Sequence, residues 1–526
     1  MLARDMFHNE KLAPQTESNG GSFSDSTQVL AGLHPDLAEM LEQFVRISRI
    51  PRPSGKEEEI RNYLASVAQQ NGWEHKIDAT GNIVIYVPGA GAGVDAEPLA
   101  LQAHMDMVCM PSDMQEIALR RDTRELAGVR KDALTATDTS LGADNGIGIA
   151  AMLALARMEN LNRPPLELVI TVSEETDLSG AFGLDTSLVN ARKLINLDTE
   201  SFGTIYISSA GGRTLDAEWD LQRVHPEPGA KAVRIRLDNF PGGHSGVKIN
   251  EPIGNPLAIL ASGLADLTDD VGAENIQLAS LNGGVKSNAI PTEAEAVVWI
   301  PAGEAAKTAV PDLLSYLAAC LREPRWGEVA DCREARISIT PCENAFPPIE
   351  KNQAVRILNS LQAFAVNHGA LAYSDSVPGL VETSNNFAIA RTDMDRLSIS
   401  SMARSSRSQE IHDLHEELLD VLSASKARTS LGGEFPSWEA DLKDPLLAQV
   451  RNVLERTIGQ APGVAGIHAG LECGVLAARI PGLQAVSIGP DVLDPHSTRE
   501  SLVLDSLHDF WRSLTGIMED LAQKPA

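Results

Sequence analysis

The stretch Leu166 to Asp198, LELVITVSEETDLSGAFGLDTSLVNARKLINLD, constrains this chain more than any other. Its apolar run Leu168 to Val172 follows Pro164-Pro165 and has the length and β-branched content of a buried strand. Two adjacent carboxylates, Glu174 and Glu175, come at its end. A second short apolar run, Leu194 to Leu197, ends on Asp198. In α/β sheets, working groups gather just beyond the C-terminal ends of strands. Neighbouring acids there repel each other unless a cation holds them. Taken alone, Glu174-Glu175 reads first as a solvated strand-to-helix corner; its neighbours alter that reading.

Upstream lies PLALQAHMDMVCM, where Leu99 to Gln102 predicts a strand and His104 and Asp106 follow. Residues two apart on a strand share a face. A metal-binding histidine usually has its second nitrogen held by a carboxylate, which Asp106 can supply. LGADNGIGIAAMLALARM places Asp144 at the mouth of a helix whose period runs through Ile147, Ala151, Leu155 and Met158. A plain N-cap is the simpler role for such an Asp. Together, His104, Asp144, Glu174, Glu175 and Asp198 form a mixed histidine and carboxylate set that suits zinc, manganese or cobalt.

HMD, LGADNGIGIA, SEETDLSGAFGL and LINLDTE resemble the motif series of the co-catalytic di-zinc peptidases that include carnosinase, aminoacylase and the tripeptidases. The wording is closest to the aminoacyl-histidine dipeptidase branch, whose members cleave β-alanyl-histidine and related dipeptides. The resemblance runs from about residue 34 to the C-terminus. It implies an α/β catalytic domain, with a central mixed sheet flanked by helices, and an inserted α+β lid domain. It also implies two divalent metal ions per subunit, zinc first, with manganese or cobalt as alternatives. Their ligands would be His104, Asp144, Glu175, Asp198 and His496, with Asp144 bridging. His496 lies in GPDVLDPHSTRE, where relatives commonly carry Pro-Asp-Glu after His-Ser and this chain has Thr498-Arg499-Glu500. Asp106 would orient His104, and Glu174 would act as general base on a metal-activated bridging water.

The resemblance further implies that His244, in GGHSG, polarises the scissile carbonyl, often across a dimer interface. Asn288 in SNAIP and Arg404 in SSMARSS correspond to lid residues that grip the substrate. The Arg404 fork suits a free carboxylate. His468 and Glu472, in IHAGLECG, are candidates to line the substrate pocket. Read without the resemblance, a turn histidine, a surface arginine, and core packing or a helix cap account for these positions as well.

With 526 residues the chain exceeds a single core. The expected organisation is a disordered extension over 1–33, a catalytic domain over 34–211 and 431–526, and a lid over 212–430. A net charge of −28 argues against nucleic-acid binding. Five scattered cysteines without a CxxC pair argue against a thiolate zinc site or a disulfide framework, and a reducing cytosol follows. The absence of any run of about 18 apolar residues argues against a membrane span. His34 to Val45 predicts an amphipathic helix, Ser54 and Glu57 a capping box, and IHAGLECGVLAARI a helix. His412 and His415 read as a solvated helix face, and His225, His368 and His508 lack partner motifs.

The expected function is metal-dependent hydrolysis of a small dipeptide, Xaa-His in type, by a cytoplasmic enzyme that forms a homodimer through its lid. Two alternatives remain: an aminoacylase- or carboxypeptidase-like amidase on the same di-metal site, and a catalytically silent binding protein.

Overall fold

The computed structural model describes residues 32–272, 275–302, 335–523 and a few positions between 311 and 319. Most of the expected extension over 1–33 therefore lies outside the described residues.

Among the described residues, one eight-stranded sheet runs in the order Glu74–Ile77, Ile83–Val87, Leu166–Thr171, Leu99–His104, Lys193–Asn196, Gln484–Ser487, Thr204–Ser209 and Gly463–Ile467. Its centre is parallel and its flanks include antiparallel pairs, so the sheet is mixed. Strands 99–104 and 166–171 are buried at every residue, as parallel strands covered on both faces must be. Register sets the site. His104 pairs with Thr171 and Gln102 with Asn196, so the residues just past all three strand ends meet at one edge.

Helices cover this sheet. Ala38–Ser48 buries Met40, Leu41, Phe44, Val45 and Ile47, the spacing of one helical stripe, and packs on Ala143–Arg157. The latter is buried at every residue from Asn145 through Ala156 and is apolar all round beyond its first turn. It therefore lies inside the core rather than presenting only the expected stripe. Each fully buried Leu or Ile contributes about 1.5–3 kcal/mol.

Among the described residues, a second, antiparallel sheet of nine strands takes its strands from residues 211–431. Helices Pro256–Val271, Lys351–Val366 and Ser408–Ala424 pack against it around a separate core that includes Trp219, Leu237, Phe364 and Phe387. The chain then returns to the first sheet through Gly463–Ile467 and Gln484–Ser487 and ends on helix Leu504–Leu521.

Three local expectations are corrected. Ser54 and Glu57 form no capping box, because the helix starts only at Glu58; both side chains turn instead towards the strand-end corner. IHAGLECGVLAARI is not one helix. Ile467 ends a strand, and the helix covers only Glu472–Arg479, so His468 lies in the turn between them. His412 is partly exposed and faces Glu434 at 3.0 Å, but His415 is 2% exposed. It joins Ile411, Leu414, Leu418 and Leu422 on the apolar stripe of helix Ser408–Ala424.

Candidate metal centre and active site

His104 is the last residue of its strand and is 1% exposed. Its Nδ1 lies 3.1 Å from the Asp106 carbonyl oxygen and 3.4 Å from Asp106 Oδ1. Its Nε2 faces Asp144 Oδ1 at 3.0 Å and Asp198 Oδ1 at 3.2 Å. One ring edge is thus held by Asp106 while the other meets the acids. Asp106 also builds the corner. Its Oδ1 accepts the Glu174 N–H at 3.0 Å, and its Oδ2 accepts the Glu175 N–H at 3.1 Å and the Ser54 hydroxyl at 2.7 Å. Burial pushes this carboxyl up, but the bonds from His104, Ser54 and Glu174 outweigh it and hold it below the usual range.

The corner itself is a single helical turn, Glu174–Asp177, between left-handed Ser173 and Leu178. Glu57 Oε1 fastens it by accepting from the Ser173 N–H and hydroxyl. The turn aims two adjacent carboxylates into one cavity of about 340 Å³ that Asp144, Asp198, Glu200 and His496 also line.

Asp144 sits between two histidines. Its Oδ1 faces His104 Nε2 and its Oδ2 faces His496 Nε2 at 2.9 Å. His496 Nε2 also lies 2.9 Å from Glu175 Oε2, while Glu175 Oε1 is buried without a partner. Asn145 Nδ2 donates to Asp198 Oδ1 at 2.5 Å. The structure therefore brings His104, Asp144, Glu175, Asp198 and His496 into one group, with Glu174 lining the same cavity.

The electrostatics of this group favour positive charge. Bonds to Asp144 and Glu175 push His496 up to about 11, and His104 is held well above its ordinary range because the surrounding acids overcome burial. Burial raises Glu174, and Asp198, Glu472 and Glu175 raise it further against His104. Burial, then Asp144 and Asp198, push Glu200 up to about 8. The acids outnumber the imidazoles and are short of positive charge. Ligand atoms of His104, Asp144 and Glu175 all lie within 4.8 Å of one another. The nitrogen and oxygen donors, and the unpartnered Glu175 oxygen, fit a divalent ion of the zinc, manganese or cobalt type.

The remaining candidates form a second group. His468 Nε2 meets Ser384 Oγ at 2.7 Å. The Arg404 guanidinium lies 5.6 Å over the Phe435 ring, its Nε is buried without a partner, and no carboxylate among the described residues pairs with it. Burial, then the Arg404 charge, push His468 down to about 3; the same two causes lower His244. His244 Nδ1 accepts from Gly246 and Val247 N–H at 3.2 Å each. Asn288 is exposed, and its carbonyl oxygen accepts the Ser245 N–H. The contacts described for His244 are within this group and none joins it to the metal-ligand set.

Sequence reasoning missed four contributors: Arg52, Asn145, Glu200 and Glu500. Glu500 accepts four backbone N–H groups from residues 141–144, more than 350 positions away. No local pattern in HSTRE signals such a partner. Glu200 had a signal, the second acid in LINLDTE.

Known proteins share both the fold and the sequence. The model of peptidase family M20/M25/M40 matches residues 100–520. The cytosol non-specific dipeptidase of Escherichia coli K12 is 32% identical over 487 residues, covering 91% of this chain and 97% of its own. The crystal structure of aminoacylhistidine dipeptidase from Vibrio alginolyticus superimposes with a TM-score of 0.81 at 28% identity, over 93% of this chain and 97% of that one. A tripeptidase from Staphylococcus aureus shares the fold, with a TM-score of 0.56 at 15% identity over 94% of this chain and all of its own.

Proposed function

The chain belongs to peptidase family M20/M25/M40, and from that premise we propose that it is a cytoplasmic metallodipeptidase with a two-metal centre, acting on dipeptides of the Xaa-His type. The observation that carries this reading is the position of Asp144, whose two carboxylate oxygens face two different histidines, His104 and His496. A carboxylate so placed suits the bridge of a two-metal site. His104 and Asp198 would complete one metal; Glu175 and His496 would complete the other. The relatives named for dipeptide and aminoacyl-histidine cleavage support the substrate class. Among the described residues, no helix is long and apolar enough to cross a membrane.

Bound metal ions would lower the pKa of a water and polarise the scissile carbonyl. The protein's own residues do the rest. Glu174 lines the cavity beside the ligands and has no hydrogen-bonded partner for its carboxylate among the described residues. It takes the attacking water's proton and returns it to the leaving amine. Burial raises its affinity for a proton, which a group that takes up and returns a proton needs. Asp106 fixes both the His104 ring and the corner that carries Glu174. Residues 212–430 form the lid, in which Arg404, unpaired with any described acid, would take the substrate's C-terminal carboxylate, with His468 and Asn288 beside it. A homodimer through the lid would let His244 serve a neighbouring subunit's centre and stabilise the oxyanion there.

The test is a panel of β-alanyl-histidine, other dipeptides and N-acyl amino acids. Cleavage of Xaa-His dipeptides in preference to N-acyl substrates is expected. Cleavage of N-acyl substrates alone would keep the metal site and make the protein an amidase; no turnover of any substrate would make it a binding protein.

A further inference from the structure

Two of the proposed ligands, Asp144 and His496, lie 352 positions apart in the chain. His496 is half exposed on a loop in which Asp494 and His496 have φ values of 50° and 58°. Side-chain-bearing residues adopt such left-handed conformations reluctantly. Within the loop, the Ser497 hydroxyl donates to the Asp494 carbonyl at 2.8 Å and accepts the Arg499 N–H at 3.1 Å. Arg499 Nε lies 3.6 Å from Asp494 Oδ2. Thr498 and Arg499 are both exposed.

The loop is tied down at Glu500, which is 2% exposed. Its carbonyl oxygen accepts the Thr135 hydroxyl at 2.7 Å, just before strand Ser501–Val503 joins Val129–Ala136. Its carboxylate grips the turn before Asp144. Oε2 accepts the N–H of Leu141 at 2.7 Å and of Gly142 at 2.9 Å; Oε1 accepts that of Ala143 at 2.8 Å and of Asp144 at 3.3 Å. The other face of the turn meets Arg52, fully buried, whose Nη2 donates to the Gly142 carbonyl at 2.7 Å. Gly142 has φ of 67°, and a Cβ there would lie 2.8 Å from the Met107 sulfur and 3.0 Å from Arg52 Nη2. One turn is thus held between a buried anion and a buried cation, at hydrogen bonds of fixed direction.

We propose that Glu500 is a positioning residue of the active site, holding the Asp144 turn against the His496 loop so that the two ligands meet at one separation whether or not metal is bound. This rests on the proposed ligand set. Through Glu500 the last metal-ligating loop and the bridging carboxylate move as one body, and Arg52 closes the clamp from the opposite side.

Zinc affinity and stoichiometry, measured on the metal-stripped full chain with a competing chromophoric chelator, test this. Wild type is expected to take two zinc ions. Glu500→Gln keeps part of the acceptor set and Glu500→Ala keeps none, so the weaker zinc ion should bind roughly ten- to a hundredfold less tightly, with Ala the worse. Thr135→Val removes only the bond to the Glu500 carbonyl and keeps the carboxylate's grip on the Asp144 turn, so it should lose less affinity than either Glu500 variant. Wild-type zinc affinity in both folded Glu500 variants would overturn the proposal. Should neither variant fold, amide exchange on metal-free wild type decides: protected amides at 141–144 support the clamp, and rapid exchange there refutes it. A wild type that binds fewer than two zinc ions would defeat the ligand set, while the exchange result would still judge the clamp.

Discussion

Asp106 Oδ1 accepts the backbone N–H of Glu174 at 3.0 Å while the same carboxylate faces Nδ1 of His104. The group that would orient the proposed metal ligand therefore also sets the corner from which the proposed general base projects. The two functions cannot drift apart, because one side chain fastens both.

That coupling separates two variants. Glu174→Ala should abolish turnover while metal content stays near wild type, since Glu174 is outside the ligand set. Metal analysis beside a dipeptide assay checks it; full activity in the variant would remove Glu174 from the mechanism.

Asp106→Ala should impair both properties at once. Loss of the histidine's orienting partner typically costs about 10- to 100-fold in metal affinity or activity, and the Glu174 corner loses two of its backbone bonds besides. Zinc titration and kcat, measured on the same preparation, should fall together. A drop in kcat at unchanged metal affinity would contradict the shared role.

Arg404→Ala should act on substrate capture. A hydrogen bond to a charged group contributes about 1.5–3 kcal/mol, so KM for a dipeptide should rise roughly ten- to a hundredfold, with a smaller change in kcat. An amidated dipeptide, lacking the carboxylate, should discriminate poorly between the variant and wild type. Equal losses on both substrates would argue for a packing role of Arg404 over Phe435.

Acid should destabilise the fold through its buried histidines. Burial holds His415 and His368 down to about 4 and His468 down to about 3, against an ordinary value of 6.5. Each folded-state value is depressed, so the unfolded chain binds the proton first as pH falls. Stability from these groups is present above about 6.5 and is lost progressively towards pH 4 to 3. His415 is the cleanest probe, because both its ring nitrogens are buried without hydrogen bonds. Thermal unfolding of His415→Leu between pH 7 and pH 4 should fall less steeply than that of wild type; identical slopes would contradict the assignment.

The strand ends and their acids are legible in the sequence because the information is local. Apolar continuity and β-branching mark 168–172 as a strand, found at Leu166–Thr171, and Glu174-Glu175 stands at its end whatever the rest of the chain does. The supports of the site are not legible. Ser54 and Glu57 have the spacing of a capping box, yet their partners, Asp106 and Ser173, lie 52 and 116 residues away. The text IHAGLECG is continuous with a helix and draws His468 into it; Gly470 instead lies between strand Gly463–Ile467 and helix Glu472–Arg479. His412 and His415 are three apart and suggest one face, but His415 lies on the apolar stripe and His412 outside it. What a carboxylate or imidazole contacts across the fold is decided by packing, and a single sequence does not carry those pairings.

The most direct measurement is reconstitution of the metal-stripped protein with Zn²⁺, followed by the rate of β-alanyl-histidine hydrolysis against bound metal per chain. The proposed two-metal dipeptidase predicts negligible turnover without metal and activity that reaches its plateau at two ions per chain, with Mn²⁺ or Co²⁺ able to substitute. Hydrolysis unaffected by complete metal removal, or no hydrolysis of any dipeptide with two ions bound, would contradict it.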